Sequence, residues 1–110
     1  MRLVILESPY AGDVSRNVQY ARACLRDSLL RGEAPIASHI LYTHEGVLDD
    51  TVPLERSMGI EAGLEWRRVA QASVVYMDHG ISKGMQYGIA AAEEAGVPVE
   101  YRTIYSKSTD

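Results

Sequence analysis

Short apolar runs alternate along this chain with longer stretches of helical period. Leu3-Val4-Ile5-Leu6 is continuously apolar, as in a central parallel strand covered on both faces. From Val14 to Arg31 the residues Val14, Val18, Ala21, Leu25 and Leu29 recur three and four apart. That spacing predicts an amphipathic helix with Arg16, Arg22 and Arg26 off its apolar stripe, Asp13 as N-cap and Gly32 as stop. A second strand is predicted to start at Pro35 and end between His39 and Tyr42. Thr43 to Pro53 reads as a long loop carrying Gly46, Asp49 and Asp50, and Pro53 suits the first turn of a helix reaching about Ala70. Gly59 and Gly63 weaken that helix by about 1 kcal/mol each relative to Ala and mark close approach of another backbone. Val74 to Met77 is a third strand. A loop with Gly80, Ser82 and Gly84 leads into a third helix, with Met85, Ile89 and Ala92 on one face and Gly96 as its stop. Val97 to Tyr101 is the last strand, and Ser106 to Asp110 reads as a frayed tail.

This βαβαβαβ order predicts one domain over residues 1–110, a three-layer α/β sandwich of flavodoxin- or Rossmann-like type. Its mostly parallel sheet of four to five strands has strands beginning near Arg2, Pro35, Ser73 and Val97. The loops Ser8–Asp13, His39–Asp50 and Asp78–Gly84 then gather at the carboxyl ends of the strands in one crevice. Asp78 ends a strand there, and Ser82 can cap the next helix, whose first-turn N–H groups favour an anion. The same two residues equally suit a strand end and a helix cap without any ligand.

Composition narrows the function more than the fold. The 110 residues are 46% apolar and 24% charged, with a net charge of −4, which argues against a polymeric nucleic-acid or membrane surface. A single nucleotide remains compatible, because a few local donors hold one phosphate. Cys24 is alone, so it reads as packing or helix surface. The first apolar run is too short for a signal peptide and no run approaches a membrane span, so a soluble, cytoplasmic protein is expected. His39, His44 and His79 lack metal-ligand spacing, and neither a metal nor a cofactor is expected. A triad drawn from Ser8, His39 and Asp78 lacks a nucleophile elbow, and Gly80-Ile81-Ser82-Lys83-Gly84 lacks the spacing of a P-loop. Lys83 and the neighbouring amides offer weak help to a phosphate. Glu55 to Glu65 is mostly a solvated helix face, with Glu61 able to turn toward the crevice.

Trp66 with Arg67 to Val75, then Asp78, then Ser82-Lys83-Gly84-Met85-Gln86-Tyr87-Gly88, resembles the nucleoside 2-deoxyribosyltransferase-like group. Its small members include deoxynucleoside 5′-monophosphate N-glycosidases, and related domains occur in bacteria and phages. The resemblance is sharpest from Ile60 to Ala92 and extends to the opening stretch with Tyr10. It implies hydrolysis or transfer at the N-glycosidic bond of a (deoxy)nucleoside or its 5′-monophosphate, and a homodimer or larger homo-oligomer. It places Gln86, Asp78 and Glu61 in catalytic positions and Ser8, Tyr10, Ser82, Lys83 and Gly84 around the substrate. In that group a Glu of Ser-x-Gly-x-Glu-x-Gly attacks the anomeric carbon, and an Asp on the preceding helix manages the leaving base. Here Gln86 replaces the Glu and Gly63 the Asp. An amide cannot carry the negative charge. The resemblance therefore implies either an enzyme in which Asp78 or Glu61 compensates, or an inactive domain that binds a nucleotide or ADP-ribose-type ligand.

Overall fold

The computed structural model describes residues 1–105. In chain order the elements are β1 (Arg2–Glu7), α1 (Val14–Leu30), β2 (Glu33–Ile36), α2 (Ser38–Leu41), α3 (Pro53–Glu65), a 3-10 turn (Trp66–Arg68), β3 (Ala72–Tyr76), α4 (Lys83–Glu94) and β4 (Val99–Arg102). The four strands form one all-parallel sheet in the order β2-β1-β3-β4. Val4 lies opposite Pro35 on one side and Ala72 on the other, and Ser73 opposite Val99. The direction of travel across the sheet reverses between β1 and β3. That switch point opens the loops of those two strands to opposite faces and leaves a crevice between them.

Each central strand feeds two cores, because successive side chains point to opposite faces. Val4, Leu6, Ala72, Val74 and Tyr76 pack with Tyr20 and Cys24 of α1, and with Ala37 just before α2. On the other face Val75 packs with Met85 and Ile89 of α4. Burial pushes the Cys24 thiol up to about 12, so it stays protonated as a packing group.

Four sequence expectations are corrected. β2 runs from Glu33 to Ile36 and ends there, because Ser38 to Leu41 turn helical rather than extended. α3 stops at Glu65 and tightens into the 3-10 turn, and β4 begins two residues beyond Val97. The buried side of α1 is also rotated. Asn17, Tyr20, Ala21, Cys24 and Ser28 face inward, while Val14 and Leu29 are exposed and Val18 and Leu25 lie half-buried at the margin. The close approach marked by Gly59 and Gly63 is made within the chain. A Cβ at Gly63 would lie 2.5 Å from Ser38 Oγ, and one at Gly59 would lie 3.3 Å from Leu48. The tail beginning at Ser106 lies outside the described residues.

One polar network ties the strands together. Arg102 holds the Glu33 carboxylate in a bidentate pair (2.6 and 2.8 Å) and also donates to the Tyr76 hydroxyl and to Glu100. Arg2 donates to Glu33 (2.8 Å) and Glu100 (2.7 Å), and Ser28 donates to the remaining side of Glu33 (2.7 Å). Glu33 is 5% exposed and Arg102 8%, so neither charge has water to fall back on. The hydrogen bond from Arg102, helped by Arg2 and Ser28, outweighs burial and lowers the Glu33 carboxyl from 4.5 to about 2.

A carboxylate lowered in this way adds stability that is complete above pH 4.5 and drains away as the pH falls from there toward 2. Glu33 accounts for about 3 kcal/mol of acid sensitivity. Urea unfolding at pH 7 and pH 3 checks this: Glu33→Gln should lose about 3 kcal/mol or more at pH 7, leaving Arg102 buried without this counter-charge, and roughly 2 kcal/mol less than that at pH 3, where the folded carboxyl is still mostly ionised.

Candidate active site at the strand switch point

The loops after β1 and β3 meet over the switch point and flank an open, shallow cavity of about 400 Å³. Its walls are Pro9, Ala11, Asp13, Arg16 and Asn17 on one side and His79 to Ser82 on the other. The first loop is held by Asn17, which donates its side-chain amide to the carbonyls of Tyr10 (2.9 Å) and Ala11 (3.1 Å). Asp13 caps α1 by accepting from the Arg16 N–H at 3.2 Å. In the second loop Gly80 takes a φ of +83°, a conformation that disfavours a side chain. Ser82 caps α4, its hydroxyl accepting from the Met85 N–H at 3.3 Å while its own N–H points at the Met85 sulfur at 3.4 Å. Two helix N-termini therefore open on one cavity. Arg16 crosses it to donate to Nδ1 of His79 at 3.1 Å.

The loop after α2 forms a separate cavity of about 560 Å³, lined by Tyr10, Thr43, Glu45 and the run from Gly46 to Thr51 with Glu55. The three loops expected in one crevice thus form two cavities that share the loop after β1. The carboxylates of the second staple their own segment: Asp49 accepts from Thr51, Glu55 from the Asp49 N–H, and Asp50 pairs with Arg56. Among the described residues no group of His, Cys, Asp and Glu is placed to hold a metal ion.

The residues singled out from sequence are dispersed. Ser82 lines the switch-point cavity and Tyr10 the other. Lys83 and Gly84 follow on the exposed first turn of α4, and a Cβ at Gly84 would meet nothing within 4 Å. Ser8 is buried and shares a 2.7 Å hydrogen bond with Nε2 of His39, whose ring burial pushes down to about 4 and so keeps neutral. Asp78 takes no part in that pair. It accepts from the Tyr20 hydroxyl (2.5 Å) and from the backbone N–H groups of Ile104 and Tyr105, pinning the chain beyond β4. Burial alone would raise the Asp78 carboxyl, but these bonds outweigh it and hold it below its ordinary value. Gln86 and Glu61 are exposed and line neither cavity. Two residues of helix turn a side chain through about 200°, so Gln86 leaves α4 on the side away from Gly84 and Gly88. An Asp at position 63 would require the Ser38 side chain to move aside.

Sequence reading passed over Glu7. It is the last residue of β1 and lies against α4, where a Cβ at Gly88 would come within 2.2 Å of its Oε2. Among the described residues it has neither a cation nor a hydrogen-bond donor. Burial therefore acts unopposed and pushes its carboxyl from 4.5 up to about 7. The only available sequence signal was a charge closing an apolar strand and a glycine far along the chain at the point of contact.

An acid raised in this way destabilises the fold wherever the unfolded chain is ionised and the folded one resists ionising. The loss begins near pH 4.5, grows to pH 7 and is constant above, at about 3 kcal/mol. Glu7→Gln should therefore stabilise the protein by about 3 kcal/mol at pH 8 and by almost nothing at pH 4. Thermal melts at the two pH values decide it, and an equal effect at both would count against the unpaired carboxyl.

No curated protein sequence matches the chain. Among solved structures, that of the 2-deoxyribosyltransferase from the psychrotolerant bacterium Bacillus psychrosaccharolyticus is similar, with a TM-score of 0.66 at 18% identity. The likeness covers 98% of this chain and 77% of that one, and it is a likeness of fold. Residues 2–102 match the family described as "Domain of unknown function (DUF7768)", and the chain belongs to that family.

Proposed function

We propose that this protein binds a nucleoside or its 5′-monophosphate at the switch-point cavity and hydrolyses or transfers its N-glycosidic bond. The observation that carries the proposal is the pair of helix N-termini, of α1 and α4, opening with Arg16 on one cavity between the loops of β1 and β3. Unsatisfied N–H groups and a guanidinium together favour a phosphate or a sugar oxygen. The fold shared with a 2-deoxyribosyltransferase supports a nucleoside in particular. His79, the one aromatic ring among the described residues of the cavity lining, is backed edge-on by the buried Tyr20 at a centroid distance of 4.3 Å and offers a flat base one ring to rest against.

A second reading is favoured by one observation. Gln86 stands where the resemblance places a nucleophilic Glu, and Gly63 where it places an Asp. On that reading the cavity binds a nucleotide or ADP-ribose-type ligand without turnover. Chromatographic release of free base from deoxynucleotides separates the two.

Thermal stabilisation by the common deoxynucleoside 5′-monophosphates, with inorganic phosphate as the minimal probe, tests binding itself. Arg16→Ala should weaken phosphate and nucleotide binding about ten- to a hundredfold, the loss of one hydrogen bond to a charged group. Absence of stabilisation by every nucleotide would end the proposal.

We also infer that the protein self-associates through α3. This helix buries none of its residues, and Leu54, Met58 and Ile60 are exposed on it with Trp66 at its end. So much apolar surface on one element is uncommon in a monomer. Light scattering at micromolar concentration should return a multiple of 12.1 kDa. Leu54→Glu with Met58→Glu should return the monomer mass.

A further inference from the structure

We propose that Glu7 is the proton-transferring group of this crevice, the acid that protonates the departing base and the base that then accepts a proton from water. The inference rests on reading the crevice as a nucleoside site.

The position is favourable. Glu7 closes the central strand β1 at the switch point; it lines neither cavity itself, but it stands two residues before Pro9, which lines the switch-point cavity. Its carboxyl lies over Gly88, and Gly84, one helical turn earlier, faces open space. α4 therefore lacks a side chain at two positions one turn apart, Gly84 and Gly88, between its capped N-terminus at Ser82 and the Glu7 carboxyl. The six residues from there to Gly88 span about 9 Å of helix axis. A nucleotide whose phosphate sits at the N-terminus would extend its sugar and glycosidic bond past Gly84 toward Glu7.

The other desolvated carboxylates of the described residues are fully engaged. Glu33 accepts from Arg102, Arg2 and Ser28, and Asp78 from Tyr20 and two backbone N–H groups. A carboxyl serving only the fold would be held in the same way. Among the described residues Glu7 has no such partner, yet its residue is only partly buried, so it retains contact with solvent. Burial also keeps a large fraction of it protonated near neutrality, which is what a donor to a leaving nitrogen needs.

The step balances with water as the only co-reactant. The Glu7 proton passes to the base nitrogen as the bond between the anomeric carbon and that nitrogen breaks, its electron pair leaving with the base. Water adds to the anomeric carbon, and its proton returns to Glu7. The products are free base and free sugar, or sugar phosphate, with the carboxyl regenerated.

The test compares the wild-type chain with Glu7→Gln and Glu7→Asp. Free-base release from deoxynucleoside 5′-monophosphates is followed from pH 5 to 9, with nucleotide affinity measured in parallel. Wild-type release should fall as the pH rises through about 7. Glu7→Gln should bind within about threefold of wild type but release base at least a hundredfold more slowly, without that inflection. Glu7→Asp should retain part of the rate. Undiminished release by Glu7→Gln, or wild-type release that is independent of pH over this range, would overturn the role of Glu7 and leave the nucleoside site standing. Wild-type binding without any release would also overturn it and favour the non-catalytic reading. If the wild type binds no nucleotide, both proposals fall.

Discussion

The pairing of Glu33 with Arg102 is the constraint on which the remainder of the fold rests. These residues belong to the two edge strands of the sheet, β2 and β4, with β1 and β3 between them. Taking two charges out of water costs several kcal/mol each, and a lone pair seldom recovers it. Here the recovery is spread over Arg2, Ser28, Tyr76 and Glu100, which occupy almost every donor and acceptor the pair presents. The Tyr76 hydroxyl passes the chain of bonds on to Asp27, which is also held by Arg31. The network therefore joins all four strands to the end of α1. With that end anchored, the opposite end of α1, where Arg16 meets the cavity, has little freedom to drift.

A second anchor lies at the carboxyl edge of the sheet. Asp78 binds Tyr20 of α1 and the backbone that follows β4, so the loop after β3 starts from a fixed point. The cavity is then built from two short loops whose ends are both held, by Asn17 and Asp13 on one side and Asp78 and Ser82 on the other. Such a site starts close to its bound geometry, and less ordering has to be offset by ligand contacts. Asp78 is better understood as part of this frame than as a reacting group.

What sequence could reveal depended on whether the signal was local. β1 and β3 were legible because unbroken apolar runs suit strands covered on both faces. The caps Asp13 and Ser82 were legible because a cap acts within three residues. The inward face of α1 was not. Periodicity counts apolar residues, whereas Asn17, Tyr20 and Ser28 are buried on bonds to the Tyr10 carbonyl, Asp78 and Glu33, partners from elsewhere in the chain. The turn of Ser38 to Leu41 into a helix was hidden for a related reason, since Gly63 makes room for Ser38 from a distant helix. Glu7 is the extreme case. Its environment depends on Gly88, eighty-one residues away in sequence, and on the absence of a partner among the described residues.

The contrast between Glu33 and Glu7 bears on how a site can be rebuilt on a retained fold. Both are glutamates at strand ends, yet hydrogen bonds hold one down to about 2 against its burial, while burial pushes the other up to about 7. The difference lies entirely in the donors around them. Gly88 is what leaves Glu7 its place, because any side chain there would displace the carboxyl from α4. A chain that carries an amide at position 86 can therefore still hold an acid against α4, from the strand rather than from the helix itself. The cost of keeping that acid unpaired, about 3 kcal/mol above neutrality, is large beside the net stability of a small domain. Glu7→Gln would remove it in a single step. A group retained at that cost, packed against a glycine of α4, is more readily explained by chemistry than by packing.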